Sequence, residues 1–244
     1  MAYRKRRTTY RKKRPVFGKK AVAAIKRIAQ QPVETKHFPV NNGLFTWFND
    51  AGYVSGSSAV FIHNVYANIP RENNTLTKTE NSVIGNEFQS RGLRWEFNGF
   101  TVSATPGASF DVQLRFTVFS YSEYLGAGTI GVAPNDPFLF DTQHTTTPTW
   151  SKWNTQAVNI HKQSIFRIDN NGNQNAMVRR KFYTPLRRKI TTQQDASTVA
   201  NSFVREVKNK QVYWALEVFV PGFTGNIRDY LFGDISTNVY FKDA

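Results

Sequence analysis

The sequence predicts an all-β body behind a basic arm, and three observations carry that prediction. Beyond Pro32 apolar residues recur at every second position, helical periodicity is nearly absent there, and the cationic charge is gathered at one end. Of 244 residues 32 are Lys or Arg and 17 are Asp or Glu, a net charge of +15. Twelve of those cations and none of the acids lie between Met1 and Gln30, so the remainder of the chain is nearly neutral at +3. The expected division is an arm over residues 1–31 and a body over 32–244. A hydrophobic fraction of 40% with 14% aromatic residues excludes disorder by composition for the body, and a chain of this length can bury a sizeable core. The absence of cysteine excludes disulfides, thiolate metal sites and cysteine nucleophiles. The run Ala21 to Ile25 is too short for the apolar segment of a signal peptide or a membrane span, so neither export nor membrane insertion is expected.

In the arm, Arg4, Lys5, Arg6 and Arg7 form one cationic block and Arg11, Lys12, Lys13 and Arg14 a second, with Tyr3, Tyr10 and Phe17 spaced seven apart around them. Like charges at this density repel, so the segment is expected to stay disordered until a polyanion neutralises it. Lys and Arg side chains release counterions from phosphates, and aromatic rings stack on unpaired bases, which makes nucleic acid the natural partner. The plainer alternative is a solvated tail that serves only as a nuclear import signal. Over residues 19–30 a helical plot gathers Val22, Ile25, Ile28 and Ala29 on one side and Lys19, Lys20, Lys26 and Arg27 on the other. This is a short basic amphipathic helix ended by Pro32. Membrane-surface and calmodulin-type targets share that pattern.

In the body, Phe110, Val112, Leu114, Phe116 and Val118 alternate with polar neighbours, as do Val212, Trp214, Leu216, Val218 and Val220. Leu93, Trp95 and Phe97 are followed by Phe100, Val102 and Ala104, a change of parity that places a bulge at Gly99. Further strands are expected over 35–48, interrupted at Asn42-Gly43, and over 59–66, 162–169, 178–190, 198–207 and 234–242, with a turn at Asn171-Gly172. Many strands and long polar loops favour an antiparallel sandwich or barrel. Loops of the length of 67–88 and 122–161 are unusual inside a domain unless functional or covered. Phe138, Phe140, Trp150 and Trp153 in the second need burial, against their own core or against a neighbouring subunit.

Most chemical motifs fail on context. Gly126, Gly128 and Gly131 match the dinucleotide GxGxxG, but Pro134 and Pro137 follow where a helix must start, so a flexible loop is expected. His37, His63, His144 and His161 have no metal-ligand or catalytic spacing, and no nucleophile elbow or phosphate loop occurs, so neither an enzyme nor a cofactor site is expected. Asp136, Asp141, Asp229 and Asp234 have the chemistry for a calcium at a subunit boundary, without a spacing that requires one. Arg179, Arg180, Lys181, Arg187, Arg188 and Lys189 put six cations into eleven residues of strand. They read equally as a solvated sheet face or as a second phosphate or polyanion contact.

The opening Met1-Ala2-Tyr3-Arg4-Lys5-Arg6-Arg7, the first strand Glu34-Thr35-Lys36-His37-Phe38, the strands 91–103 and 110–120, the Tyr183-Thr184-Pro185 turn and the closing Val239-Tyr240-Phe241-Lys242-Asp243-Ala244 together resemble capsid proteins of circovirus-like, Rep-encoding circular single-stranded DNA viruses. The body is similar to the shell protein of satellite tobacco necrosis virus, and the resemblance spans nearly the whole chain by order and texture rather than by one motif. It implies a single eight-stranded antiparallel jelly roll, sixty copies closing a T=1 icosahedral shell, and an inward arm that packages a single-stranded genome. It further implies residence in the virion and in the host nucleus during assembly, with nuclear import receptors and a cell-surface polyanion as additional partners. The arm departs from the circoviruses in being shorter and in adding the 19–30 helix; its arginine-rich opening favours DNA. Two other classes fit less of the chain. A non-viral β-rich nucleic-acid-binding module needs a basic aromatic face on the body, and a lectin or hydrolase with an import tail needs a cleft with paired carboxylates.

Overall fold

The expected alternation becomes strand pairing throughout the residues that the computed structural model describes, which are 35–43, 53–55, 58–71, 82–102, 110–122, 125, 129–131, 138–141, 152–169, 176–192, 204, 207–208, 211–224 and 227–243. The arm, the 19–30 helix, the Asn171-Gly172 turn and most of the 198–207 strand lie outside them. In chain order the strands are β1 (Lys36–Gly43), β2 (Tyr53–Ser55), β3 (Ser58–Asn64), β4 (Glu87–Thr101), β5 (Val112–Tyr121), β6 (Thr129–Gly131), β7 (Asn159–Ile168), β8 (Met177–Thr191), β9 (Gln211–Phe219) and β10 (Leu231–Asp243), with a 3-10 turn at Ile227–Asp229.

They pair antiparallel into sheet I, β1-β10-β4-β8, and sheet II, β2-β3-β9-β5-β7, with β6 added to β3. Setting aside the short β2 and β6, the first principal strand lies beside the last, the second beside the seventh, the third beside the sixth and the fourth beside the fifth. That nested order is one long hairpin rolled into two four-stranded sheets, an eight-stranded jelly roll.

The inner faces meet in an aromatic core. Trp95 stacks on Phe116 at 4.2 Å between centroids and stands edge-on to Trp214 at 6.4 Å, while Phe182 lies over Phe116 at 5.7 Å. Rings offset or edge-on in this way gain beyond their buried area. His63 sits in the same layer, 5.6 Å from the ring of Trp214, and is 4% exposed. Burial alone, by opposing the charged form, lowers its pKa to about 4.

Four expectations are corrected by the fold. The bulge of β4 is at Arg91 rather than Gly99, because pairing with both β10 and β8 shifts register there. Gly99 keeps the inward parity of Leu93, Trp95 and Phe97, and its missing side chain leaves room for the Phe97 ring, while Phe100 points outward and stacks on Phe232 at 5.8 Å. Tyr183-Thr184-Pro185 is not a turn. It runs inside β8, an edge strand, where proline costs no ladder hydrogen bond. Asn42-Gly43 does not interrupt β1 but ends it, paired with Ile235 and Asp234. Finally, Thr129-Ile130-Gly131 of the glycine-rich stretch is no flexible loop but β6, laddered to Phe61, Ile62 and His63.

Candidate nucleic-acid interface

The two sheets differ on their outer sides. Sheet II is covered by the chain between β6 and β7, where Leu139, Phe140, Trp153 and Val158 pack on Val60, Ile62, Phe119, Tyr121, Tyr213 and Ala215. Backbone bonds from Asp141 N to Lys152 O (2.7 Å) and from Asn154 N to Leu139 O (2.9 Å) hold the two halves of the cover together. Phe140 and Trp153 thus find burial against their own chain, whereas Phe138 is 65% exposed; Trp150 lies outside the described residues. Beneath the cover Arg115 and Glu217, directly opposite on β5 and β9, form a buried bidentate ion pair, and Arg115 lies 5.9 Å from the Trp153 ring.

The outer side of sheet I carries side chains in rows set by the register. At one end Phe232, Phe100 and Met177 make an apolar row, Met177 being 80% exposed. Next come the charged positions. Arg179 donates to Glu96 Oε1 at 2.8 Å, Lys181 lies 3.3 Å from Glu96 and Arg94 lies 3.5 Å from it, so one carboxylate serves three cations. Partial burial pushes the Glu96 pKa up, but the bonds and charges of Arg179 and Lys181 outweigh it and the net shift is downward. Lys189 pairs with Glu87 at 2.7 Å, and its hydrogen bond is the main reason the Glu87 pKa is lowered. The basic cluster expected from sequence is therefore split. Arg179, Lys181 and Lys189 are committed to carboxylates, while Arg180, Arg187 and Arg188 have no carboxylate partner among the described residues. Arg187 takes a left-handed backbone, φ 37°, in the irregular stretch of β8 opposite the β4 bulge.

At the far end of the same face a cavity of about 480 Å³ is lined by Thr35, Arg91, Tyr183, Tyr240 and Lys242. Its floor depends on Gly92. The Tyr183 ring lies over that glycine so closely that a Cβ there would meet the ring, and Tyr183 Oη donates to the Arg91 carbonyl at 3.4 Å. Tyr240 stands edge-on to Tyr183 at 6.3 Å, and His37, its register partner on β1, continues the aromatic line at 6.5 Å. Lys162 of β7 donates to the Tyr183 carbonyl at 2.9 Å and fixes the strand from the other side. The neighbouring acid is occupied: Asp243 binds Lys36 at 2.6 Å and accepts from Ile84 N at 3.1 Å.

Sequence reasoning missed Arg91, Tyr183, Tyr240, Lys242 and Thr35 as a group. Period-two parity puts Tyr240 and Lys242 on one face, but only the register of β10 against β4 and β8 brings them beside Arg91 and Tyr183. The arm residues Tyr3, Arg4, Lys5, Arg6, Arg7, Tyr10, Arg11, Lys12, Lys13, Arg14, Phe17, Lys19, Lys20, Lys26 and Arg27 all lie outside the described residues. Of the four aspartates weighed for calcium, Asp141 lies 3.6 Å from Lys152, Asp136 lies outside the described residues, and among the described residues no three His, Asp or Glu side chains converge.

No family model and no curated protein matches the chain. Among solved structures it is similar to a chain of Desmodium yellow mottle tymovirus, at 10% identity and a TM-score of 0.32 over 87% of this chain and 89% of that one. A second similarity is to Merkel cell polyomavirus VP1 in complex with GD1a oligosaccharide, at 9% identity and 0.24 over 85% and 94%. A third is to VP1 of trichodysplasia spinulosa-associated polyomavirus, at 11% identity and 0.12 over 86% and 77%. Likenesses this faint add no weight to the fold, which rests on the strand order of the chain itself.

Proposed function

We propose that this chain is a structural protein of a small virus, a jelly-roll subunit of which sixty copies close a T=1 shell around a single-stranded genome. One observation carries the reading: a nested-hairpin sandwich whose first strand is preceded in the chain by twelve cations in thirty acid-free residues. The arm then neutralises phosphate through Arg4–Arg7, Arg11–Arg14, Lys19, Lys20, Lys26 and Arg27, and sixty arms balance on the order of 700 phosphates. The arginine-rich opening favours DNA and doubles as a nuclear import signal, so the protein resides in the virion and, during assembly, in the host nucleus. Arg180, Arg187 and Arg188 supply a second contact for nucleic acid or for a cell-surface polyanion. No catalytic step belongs to this role.

The tyrosine-lined cavity favours a second reading, a non-assembling nucleic-acid-binding module, since such a module needs a basic aromatic face on its body. Negative-stain microscopy of the purified full-length protein, with its absorbance ratio at 260 and 280 nm, separates the two. Uniform closed particles carrying nucleic acid are expected, and glutamine at Arg4–Arg7 and Arg11–Arg14 should leave particles that are largely empty. Soluble protein that binds nucleic acid across salt conditions without ever closing overturns the shell proposal in favour of the module.

A further inference from the structure

We infer that the cavity at the Arg91 end of sheet I is a binding site for a nucleotide of single-stranded nucleic acid, with the base against Tyr183 and Tyr240 and the phosphate between Arg91 and Lys242. The inference deepens the packaging role proposed above and rests on it only for the origin of the strand. It is a recess of about 480 Å³ that opens widely to solvent, a shape that admits one nucleotide of a strand running past it.

The stacking surface comes from an unusual use of glycine. Gly92 faces outward in β4, and the Tyr183 ring lies on it where a side chain would otherwise stand. A ring laid against the sheet leaves its opposite face to the solvent side, and Tyr183 is 49% exposed. Tyr240, edge-on to it, closes one wall. Unpaired bases stack on such rings with little sequence preference, whereas a duplex keeps its base faces hidden and a sulfated sugar has no flat face to offer.

The charges are equally specific. Arg91 is the extra residue of the bulge, so it leaves the strand alternation and reaches the cavity, and Lys242 follows the register shift on β10. Among the described residues neither has a carboxylate partner, in contrast to Lys36, Arg179, Lys181 and Lys189. Uncommitted cations beside stacking rings match the alternation of phosphate and base along a single strand. Thr35, at the same end of the sheet, completes the lining with a hydroxyl group.

The test uses full-length protein in which Tyr3, Tyr10 and Phe17 are leucine, so that stacking in the arm does not mask the body. The probes are fluorescein-labelled ten-residue oligothymidylate and an abasic deoxyribose-phosphate strand of equal charge, each titrated at several salt concentrations. Oligothymidylate should bind on the order of tenfold more tightly than the abasic strand. Tyr183→Leu with Tyr240→Leu, which keeps the apolar cover, should abolish that preference and leave abasic binding unchanged. Gly92→Ala, which keeps every ring and cation but lifts Tyr183, should reduce it. Arg91→Gln with Lys242→Gln should weaken both probes and lower the log–log salt slope by about 1.4. A bromodeoxyuridine strand should photocross-link to Tyr183 or Tyr240. A preference that survives the tyrosine changes, cross-links confined to residues 1–31, or a fall in heparin binding without a fall in oligothymidylate binding would each overturn the inference. The two proposals fail separately: a protein that never closes sinks the shell alone, and particles that package normally without the base preference sink the cavity alone.

Discussion

The two sheets of this sandwich share one core but meet their surroundings in opposite ways. In sheet II, β9 is buried from Gln211 to Val218 on both faces, because Phe140 and Trp153 lie 4.6 Å apart over its outer side. In sheet I, β4 alternates buried and exposed positions along most of its fifteen residues and its outer side meets solvent. The difference decides where polar chemistry stays inside and where it is presented. Under the cover a charge needs an internal partner, which Arg115 and Glu217 give each other; on the open face Arg91 and Lys242 do without a carboxylate partner among the described residues. A covered sheet keeps its charges paired inside, and an open sheet presents its charges to solvent.

The sharpest way to break the comparison is to strand a charge under the cover. Arg115→Met leaves Glu217 buried without its guanidinium and should cost about 3–5 kcal/mol in urea unfolding, while Arg115→Met with Glu217→Leu should recover most of that loss. Burial pushes the Glu217 pKa up and Arg115 opposes it, so the penalty of the single change should shrink at low pH, where the carboxyl accepts a proton. Arg94→Met on the open face should shift stability by less than about 1 kcal/mol, because that pair is exposed. Equal losses at the two positions would erase the distinction between the sheets.

A smaller effect comes from the core that both sheets share. The folded state holds His63 at a pKa of about 4, below the 6.5 of the unfolded chain, so its contribution is complete above pH 6.5. Between pH 6.5 and 4 the unfolded chain takes up a proton that the folded one refuses, and stability should fall by about 3 kcal/mol in total. Glu87 and Glu96, both held below their ordinary value, add acid sensitivity only below about pH 4.5. His63→Gln should therefore flatten the upper window alone, read as thermal midpoint against pH.

The same asymmetry governs how much of the molecule is legible in its sequence. Strands with a wet or half-wet outer face advertise themselves by parity, as β10 does with Ile235, Thr237, Val239 and Phe241 turned inward. The covered sheet is harder to read. In β5 the polar residues Arg115 and Thr117 suggest a solvent face and are buried, because the partner that covers them is more than twenty residues away in the chain. Phe100 misleads in the opposite sense, since an aromatic residue next to an inward run looks like core until Phe232 is known to lie beside it on the outer side. The basic cluster of β8 was visible as charge, but its division by Glu96 and Glu87 depends on a strand about ninety residues earlier. The cavity was illegible for the same reason: its five residues come from four distant segments and meet only through register and one bulge.

Two glycines of one strand give the finest version of the contrast. Gly99 faces the core, and a Cβ there would strike the ring of Phe97, which is fully buried among Trp95 and Phe166 and has nowhere to go. Gly99→Ala should cost about 1–3 kcal/mol as overpacking, seen as a lower midpoint in urea. Gly92 faces outward, and the Cβ would strike Tyr183, whose half-exposed ring can swing into solvent. Gly92→Ala should leave stability within about 0.5 kcal/mol, since replacing glycine in a strand offsets the displaced contact. The same clash thus reads as a packing defect on one face and as a displaced binding group on the other, and equal midpoints for the two variants would mean that the outer ring is held as firmly as the inner one.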